Sequence, residues 1–195
     1  MNKLIASMML SSVAAFALQI YPIPVVLEHG KKYREFVIDD DSGKYQVYLK
    51  KWTQKNGEDV LQYTKEVVAY PKIIQAPKKI KVYKKRSNLI PTEQAYRLIL
   101  KELNINPVEG ETKVLKTLSI PVFISPSSPN PLLELECKQS TLKLINRGNT
   151  HFKILSINED KAVSYILPNH IKEVKHVKKD GTVHTNRGDY KYQCK

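Results

Sequence analysis

The chain predicts an all-β fold of two sandwiches, on three observations. Short runs in which apolar and polar residues alternate recur along its length, with turn signals between them. The uncharged stretch Ser125-Pro126-Ser127-Ser128-Pro129-Asn130-Pro131 interrupts the series with the composition of a linker. Both cysteines, Cys137 and Cys194, lie beyond that stretch, where a small unit benefits from one disulfide. The chain therefore divides into a leader at 1–17, a first domain at 18–125, a linker at 126–131 and a smaller second domain at 132–195.

The leader reads as a signal peptide. Lys3 supplies positive charge, Leu4 to Phe16 is apolar but too short to span a bilayer, and Ala15-Phe16-Ala17 is a small-x-small cleavage pattern. The mature chain is expected to start near Leu18; a retained N-terminal anchor is the other reading. Tyr21 to Leu27 is β-prone, but Pro22 and Pro24 remove ladder donors, which suits an edge strand or one that switches between sheets. Strands follow at Lys32 to Ile38 and Tyr45 to Trp52, around a turn at Asp39-Asp40-Asp41-Ser42-Gly43. Asn56-Gly57 is a hairpin signal. Val67 to Ile74 and Lys79 to Tyr83 form the next pair, about a turn at Pro77. Asn88 to Leu103 has some helical periodicity, yet Tyr96-Arg97-Leu98-Ile99-Leu100 suits a strand and the surroundings favour one. After a polar loop with Pro107 and Gly110 comes a long strand, Thr112 to Ile124. Beyond the linker, strands are expected at Leu132 to Lys138, Thr141 to Asn146, Phe152 to Asn158 and Val163 to Leu167. Paired segments around Asp180-Gly181 and Arg187-Gly188 complete the set.

The formal charge of +13 points to acidic partners, anionic surfaces or nucleic acid, and export argues against the last. An oxidising compartment allows a Cys137–Cys194 disulfide, with two free thiols as the alternative. Nothing predicts an enzyme, a metal or a cofactor. His170, His176 and His184 match no zinc spacing, Asp39 to Asp41 lack the spaced ligands of a calcium loop, and neither a serine elbow nor a phosphate-cradling glycine loop occurs. The run Lys78-Lys79-Ile80-Lys81-Val82-Tyr83-Lys84-Lys85-Arg86 is read as a lysine-rich strand edge in preference to a polyanion site. Arg187-Gly188-Asp189 is read as a hairpin turn in preference to an adhesion tripeptide.

Several motifs carry a family resemblance. Trp52-Thr53-Gln54-Lys55-Asn56-Gly57-Glu58-Asp59-Val60-Leu61-Gln62-Tyr63-Thr64 reads W-x-Q-x-x-G-x-D-x-L-x-x-T. Tyr33 to Ile38 precedes it, and Glu66-Val67-Val68-Ala69-Tyr70-Pro71 and Glu93-Gln94-Ala95-Tyr96-Arg97-Leu98-Ile99-Leu100 follow. Ser119-Ile120-Pro121-Val122-Phe123-Ile124 comes next. The second domain has Leu142-Lys143-Leu144-Ile145-Asn146-Arg147-Gly148-Asn149-Thr150-His151 and Tyr165-Ile166-Leu167-Pro168. In this order they resemble periplasmic pilus chaperones, especially the archaic branch of the chaperone–usher systems, over nearly the whole mature chain.

The resemblance implies two immunoglobulin-like domains set at an angle in the periplasm. It also implies binding of pilus subunits that lack a final strand, with delivery to an outer-membrane usher. The chaperone's G1 strand would fill the subunit's open groove by β-augmentation. The matching strand is Thr112 to Ile124, and Val114, Leu118, Ile120 and Val122 share one face with Lys116 among them. Burying four such side chains contributes about 6–12 kcal/mol gross. Leu115, Thr117 and Phe123 are the set on the other phase. The family's carboxylate-binding arginine and lysine correspond to Pro24 and Pro121, so Lys116 and Lys81 stand as anchors on charge grounds, with Lys31 and Lys32 behind them. The family's buried ion pair corresponds to Lys81 and Glu93. A free chaperone is expected to self-associate over its exposed face. The alternatives are a secreted basic binding module, either adhesin or polyanion binder, and a related chaperone for a non-pilus exported protein.

Overall fold

The computed structural model describes residues 19–40, 43–85, 89–104, 112 and 114–195. The predicted leader, Asp41 and Ser42 of the acidic turn, the loop residues Pro107 and Gly110, and Arg86 of the basic run lie outside the described residues. The described elements are all strands. They are β1 (Gln19–Tyr21), β2 (Val25–Leu27), β3 (Tyr33–Asp39), β4 (Lys44–Lys55), β5 (Glu58–Tyr63), β6 (Val67–Tyr70), β7 (Ile73–Gln75), β8 (Lys78–Lys84), β9 (Gln94–Glu102) and β10 (Thr117–Ile124). Then follow β11 (Leu133–Lys138), β12 (Thr141–Asn146), β13 (Phe152–Ile157), β14 (Asp160–Ile166), β15 (Ile171–Lys175), β16 (Asp180–Thr185) and β17 (Gly188–Gln193).

Two sandwiches result. In the first, the sheet β1-β3-β8-β6 faces the sheet β2-β10-β9-β4-β5, with β7 added against β4. In the second, β11-β12-β15 faces β14-β13-β16-β17. Each encloses its own core. Phe36, Tyr45, Ile80, Tyr96, Leu98 and Ile120 are among the buried residues of the first, and Leu142, Leu144, Phe152, Ile154, Ile166 and Val183 of the second.

Proline sets two of the crossings. β1 pairs antiparallel with β3 in one sheet, and after Pro22-Ile23-Pro24 the chain continues as β2, parallel to β10 in the other. A residue with no N–H cannot continue a ladder, so the chain changes sheets there. The same happens at Pro71. The single strand expected over Val67 to Ile74 is two: β6 pairs with β8 and β7 pairs with β4 in the opposite sheet. At the β4–β5 hairpin, Lys55 faces Glu58 and only Asn56 (φ 53°) and Gly57 (φ 79°) make the loop. Two positive φ values are what a type I′ turn needs.

Three further expectations change. The basic run is no edge: β8 lies between β3 and β6, with Ile80 and Val82 in the core and Lys79 and Lys81 on the outer side. The long strand expected from Thr112 begins at Thr117. β15, which the sequence reading did not isolate, pairs along the free side of β12 and completes its sheet. In the segment expected over 88–103, by contrast, the described residues from Leu89 on form a bend at Pro91-Thr92 followed by strand β9, as expected.

Cys137 in β11 is bonded to Cys194, just beyond β17. Main-chain bonds run alongside, from Lys195 N–H to the Cys137 carbonyl and from Gln139 N–H to the Lys195 carbonyl. Neither cysteine is expected to react with a thiol reagent before reduction, and reduction is expected to lower stability by about 2–4 kcal/mol. Mass spectrometry after alkylation, with and without reductant, checks the first point and urea titration the second.

Candidate functional site

β10 is held unequally along its length. All eight residues pair with β9, but only Val122–Ile124 pair with β2. From Thr117 to Pro121 its second edge has no neighbouring strand among the described residues. An open edge of this kind is a template for a further strand. Just before it, the ladder to β9 ends at Lys116. Glu102 N–H donates to the Lys116 carbonyl at 2.9 Å, while Lys116 N–H donates to the Glu102 carboxylate at 3.0 Å in place of a main-chain carbonyl. The Lys116 amine lies 4.0 Å from the Asp40 carboxylate, which accepts the Tyr45 hydroxyl. Val114, 86% exposed, and Leu115, 39% exposed, then stand off the sheet.

The expected subunit-facing set therefore divides. Ile120 and Val122 are buried in the first core and Leu118 is partly buried against it, so these three serve the chain's own sandwich. Val114 and Lys116 are exposed. Of the alternative set, Thr117 and Leu115 are exposed, and Phe123 is buried on the opposite face of the sheet. The far half of the strand is thus occupied by the chain's own core.

The expected Lys81–Glu93 pair is not formed. Strand register places Glu35 opposite Lys81, and their charged groups meet at 3.0 Å, with the Lys81 amine also over the Tyr33 ring. Glu93 precedes β9 and faces the second sandwich. There one carboxylate oxygen accepts both the His151 N–H, at 2.8 Å, and its ring Nδ1, at 2.7 Å. Both side chains are less than a tenth exposed.

That contact belongs to a junction built by the motif residues. The His151 ring stacks on Phe123, with centroids 3.6 Å apart. Trp52 lies 5.9 Å from Phe123 and meets Tyr165 edge-on at 5.4 Å. The Arg97 guanidinium covers the Trp52 ring at 3.6 Å and reaches Asp59 at 3.4 Å. Burial holds Arg97 below its ordinary pKa, with Asp59 opposing; burial raises the Tyr165 hydroxyl, with Arg97 opposing. Arg97 also forms a cationic row with Lys50, its partner across β4 and β9, and Pro121 is its partner on β10. Directly paired residues share a sheet face, so Arg97 and Lys50, one and two strands in from the open-edged β10, lie on the side that carries Trp52 and Phe123.

The β4–β5 hairpin reaches the same junction. The Gln54 side chain accepts the Leu167 N–H at 3.0 Å and donates to the Tyr165 carbonyl at 2.9 Å, and a His170 ring nitrogen lies 2.7 Å from the Gln54 carbonyl. From the second sandwich, the Asn149 amide donates to the carbonyls of Pro91 and Ser128 and accepts the Asn130 N–H. Beside it Gly148 is so close to the passing chain that a Cβ would run into the Asn130 carbonyl and the Leu132 amide. The sequence named Gln54, Arg97, Asn149 and His151 only as motif letters, and gave Glu93 to Lys81. Separations of 58 and 113 residues hid their meeting.

No protein-family model matches the chain, and no curated protein does. Solved structures do. A chain of the CsuC–CsuE chaperone–tip adhesion subunit pre-assembly complex, from archaic chaperone–usher Csu pili of Acinetobacter baumannii, is 18% identical with a TM-score of 0.70, over 92% of this chain and 98% of that one. The class 5 fimbriae chaperone CfaA is 17% identical, TM-score 0.61, over 92% and 99%. A chain of the Salmonella enterica SafA pilin–SafB chaperone complex is 12% identical, TM-score 0.67, over 91% and 96%.

Asn149→Ala removes three bonds at once and is expected to cost about 1–3 kcal/mol in urea titration. Hydrogen exchange should quicken at Asn130; an unchanged rate there would contradict the role given to the side chain. The chain thus has the two-sandwich fold of chaperone–usher pilus chaperones.

Proposed function

We propose that this chain is a periplasmic chaperone that holds pilus subunits lacking a final strand, shields their open groove and hands them to an outer-membrane usher. The observation that carries this reading is the half-free strand β10, with an open edge at Thr117–Pro121 continuing from exposed Val114 and Leu115. A subunit strand laid along that edge gains main-chain bonds, and residues on alternate positions of 114–118 enter its groove. Release follows when the next subunit's own N-terminal strand fits the groove better.

Lys81 lies in the opposite sheet beside Glu35, and Lys116, beside Asp40, stands off the junction face, whereas Arg97, although 3.4 Å from Asp59, is fixed on that face. Arg97 and Lys50 replace them in this reading. They stand side by side on the junction face of the sheet, one and two strands in from β10, and a guanidinium fixed on Trp52 offers a carboxylate a rigid donor pair. No nucleotide or metal enters the reading. A basic adhesin would use the outer lysines instead, and the Arg187-Gly188-Asp189 turn favours it little. The Arg187 guanidinium turns back to the His151 carbonyl at 3.2 Å, and Asp189 pairs with His184 at 2.8 Å.

The test is capture of periplasmic proteins by the tagged chain, followed by mass spectrometry. Val114→Asp with Leu115→Asp is expected to lose a small β-rich exported protein, with stability changed by no more than about 0.5 kcal/mol. Ile120→Asp is expected to lose about 3 kcal/mol or more, because it buries a charge in the first core. Retention of the same partner by the folded double variant, together with its loss from Lys78→Glu/Lys79→Glu, would overturn strand donation in favour of the basic-module reading.

A further inference from the structure

Where the β4–β5 hairpin meets the second sandwich, one imidazole is held at both of its nitrogens. His170 closes the turn between β14 and β15. Its N–H donates to the Leu167 carbonyl at 3.2 Å, and its carbonyl accepts the Asn146 N–H at 3.0 Å, so its backbone is fixed on the second sandwich. The ring reaches two further carbonyls. Nδ1 lies 2.7 Å from the Pro168 oxygen, and Nε2 lies 2.7 Å from the Gln54 oxygen. The Gln54 contact crosses to the first sandwich, where β4 has run past Lys51, its last residue paired with β9.

A peptide carbonyl only accepts, so each ring nitrogen has to donate. A neutral imidazole carries one N–H and cannot make both bonds; an imidazolium carries two and can. Turning the ring over does not resolve the conflict. It sets ring carbons where the nitrogens stand, well inside the about 3.3–3.6 Å of a C–H···O contact. The surrounding charges do not decide the ring's state either. Glu58 from the hairpin, Lys143 from β12, and Lys172 and Glu173 from β15 border the hollow beside it, two acids against two bases. Lys143 and Glu173 are paired with each other at 3.2 Å. Elsewhere in the junction, Glu93 is engaged with His151 and Arg97 with Asp59.

We infer that His170 is a proton-operated latch between the two sandwiches, closed as the imidazolium and released from one of its two carbonyls when neutral. In the closed state two charge-assisted bonds tie the hairpin to the turn at 167–170. After loss of one proton a nitrogen lone pair faces a carbonyl oxygen, whichever tautomer forms, and one contact opens. Protonation and closure therefore favour one another. The full latch is present below about pH 6.5, where an imidazole is ordinarily charged, and is lost as pH rises beyond that range. The Gln54 side chain and the Glu93–His151 contact still hold the junction, so the latch sets its firmness without parting the halves. His170 and Gln54 lie apart from the β10 edge, and the inference does not rest on strand donation.

The test uses the isotope-labelled mature chain, followed by NMR from about pH 5.5 to about pH 8. At the acid end both ring N–H protons of His170 are expected as separate, slowly exchanging signals, since a carbonyl holds each; at the alkaline end only one remains. The Leu167 amide, bonded to the Gln54 side chain, is expected to lose about tenfold of its protection against hydrogen exchange across that range, after the intrinsic pH dependence of exchange is removed. In His170→Ala that protection should be low throughout and vary less than about twofold. His176→Gln and His184→Gln change imidazoles outside the junction and should keep the wild-type loss. Persistence of the pH dependence in His170→Ala would assign it to another group, His151 first, and overturn the latch. So would a single ring N–H signal at the acid end, or equal protection of Leu167 at both ends of the range.

Discussion

β10 can present an open edge because its other end is fixed from every side. Val122–Ile124 have a strand on each flank, Val122 and Ile124 fill the first core, and Phe123 packs under His151 on the opposite face. A strand anchored over only three residues would fray back from an open edge. Here the remaining ladder to β9 runs on to Thr117, and the Glu102 carboxylate takes the last amide at Lys116. Leaving an edge open without losing the fold around it requires this asymmetry.

The junction extends the same logic. The Glu93 carboxylate is withdrawn from water, and such a group is tolerated when its oxygens find donors. Both donors come from His151, in the other sandwich. Asn146 and Asn149 bond the surrounding loops, and Gly148 allows the passing chain close enough to be bonded. The polar contacts define a geometry and the ring stack of Trp52, Phe123, His151 and Tyr165 excludes water from it. Sandwich packing, edge and cationic row thus share residues: Phe123 belongs to β10, and Arg97 rests on the junction tryptophan.

Much of this was legible in the sequence because its cause is local. Period-two alternation and Asn56-Gly57 are local signals, and Pro22 and Pro24 point to an edge strand or a change of sheet, of which the structure has the second. Pro71 sends the same signal, but within a run whose apolar pattern continues through it. What stayed hidden is set by register and distance. Whether Lys81 meets Glu35 or Glu93 depends on which strand lies beside β8, which no periodicity reports. Ile120 and Val114 share a phase, so only the end of the sandwich tells a core residue from an exposed one. The lysine run likewise concealed two directions in one string, because strand side chains alternate and its last residues lie where the chain turns.

The hairpin at Asn56-Gly57 reaches the second sandwich by bonding main-chain groups: the Leu167 amide and the Tyr165 carbonyl take the Gln54 side chain. A contact made to peptide groups does not depend on which side chains those peptides carry. Surface residues of the second half can be exchanged widely while the hinge between the halves keeps its setting, and such a protein can drift far in sequence with its outline intact.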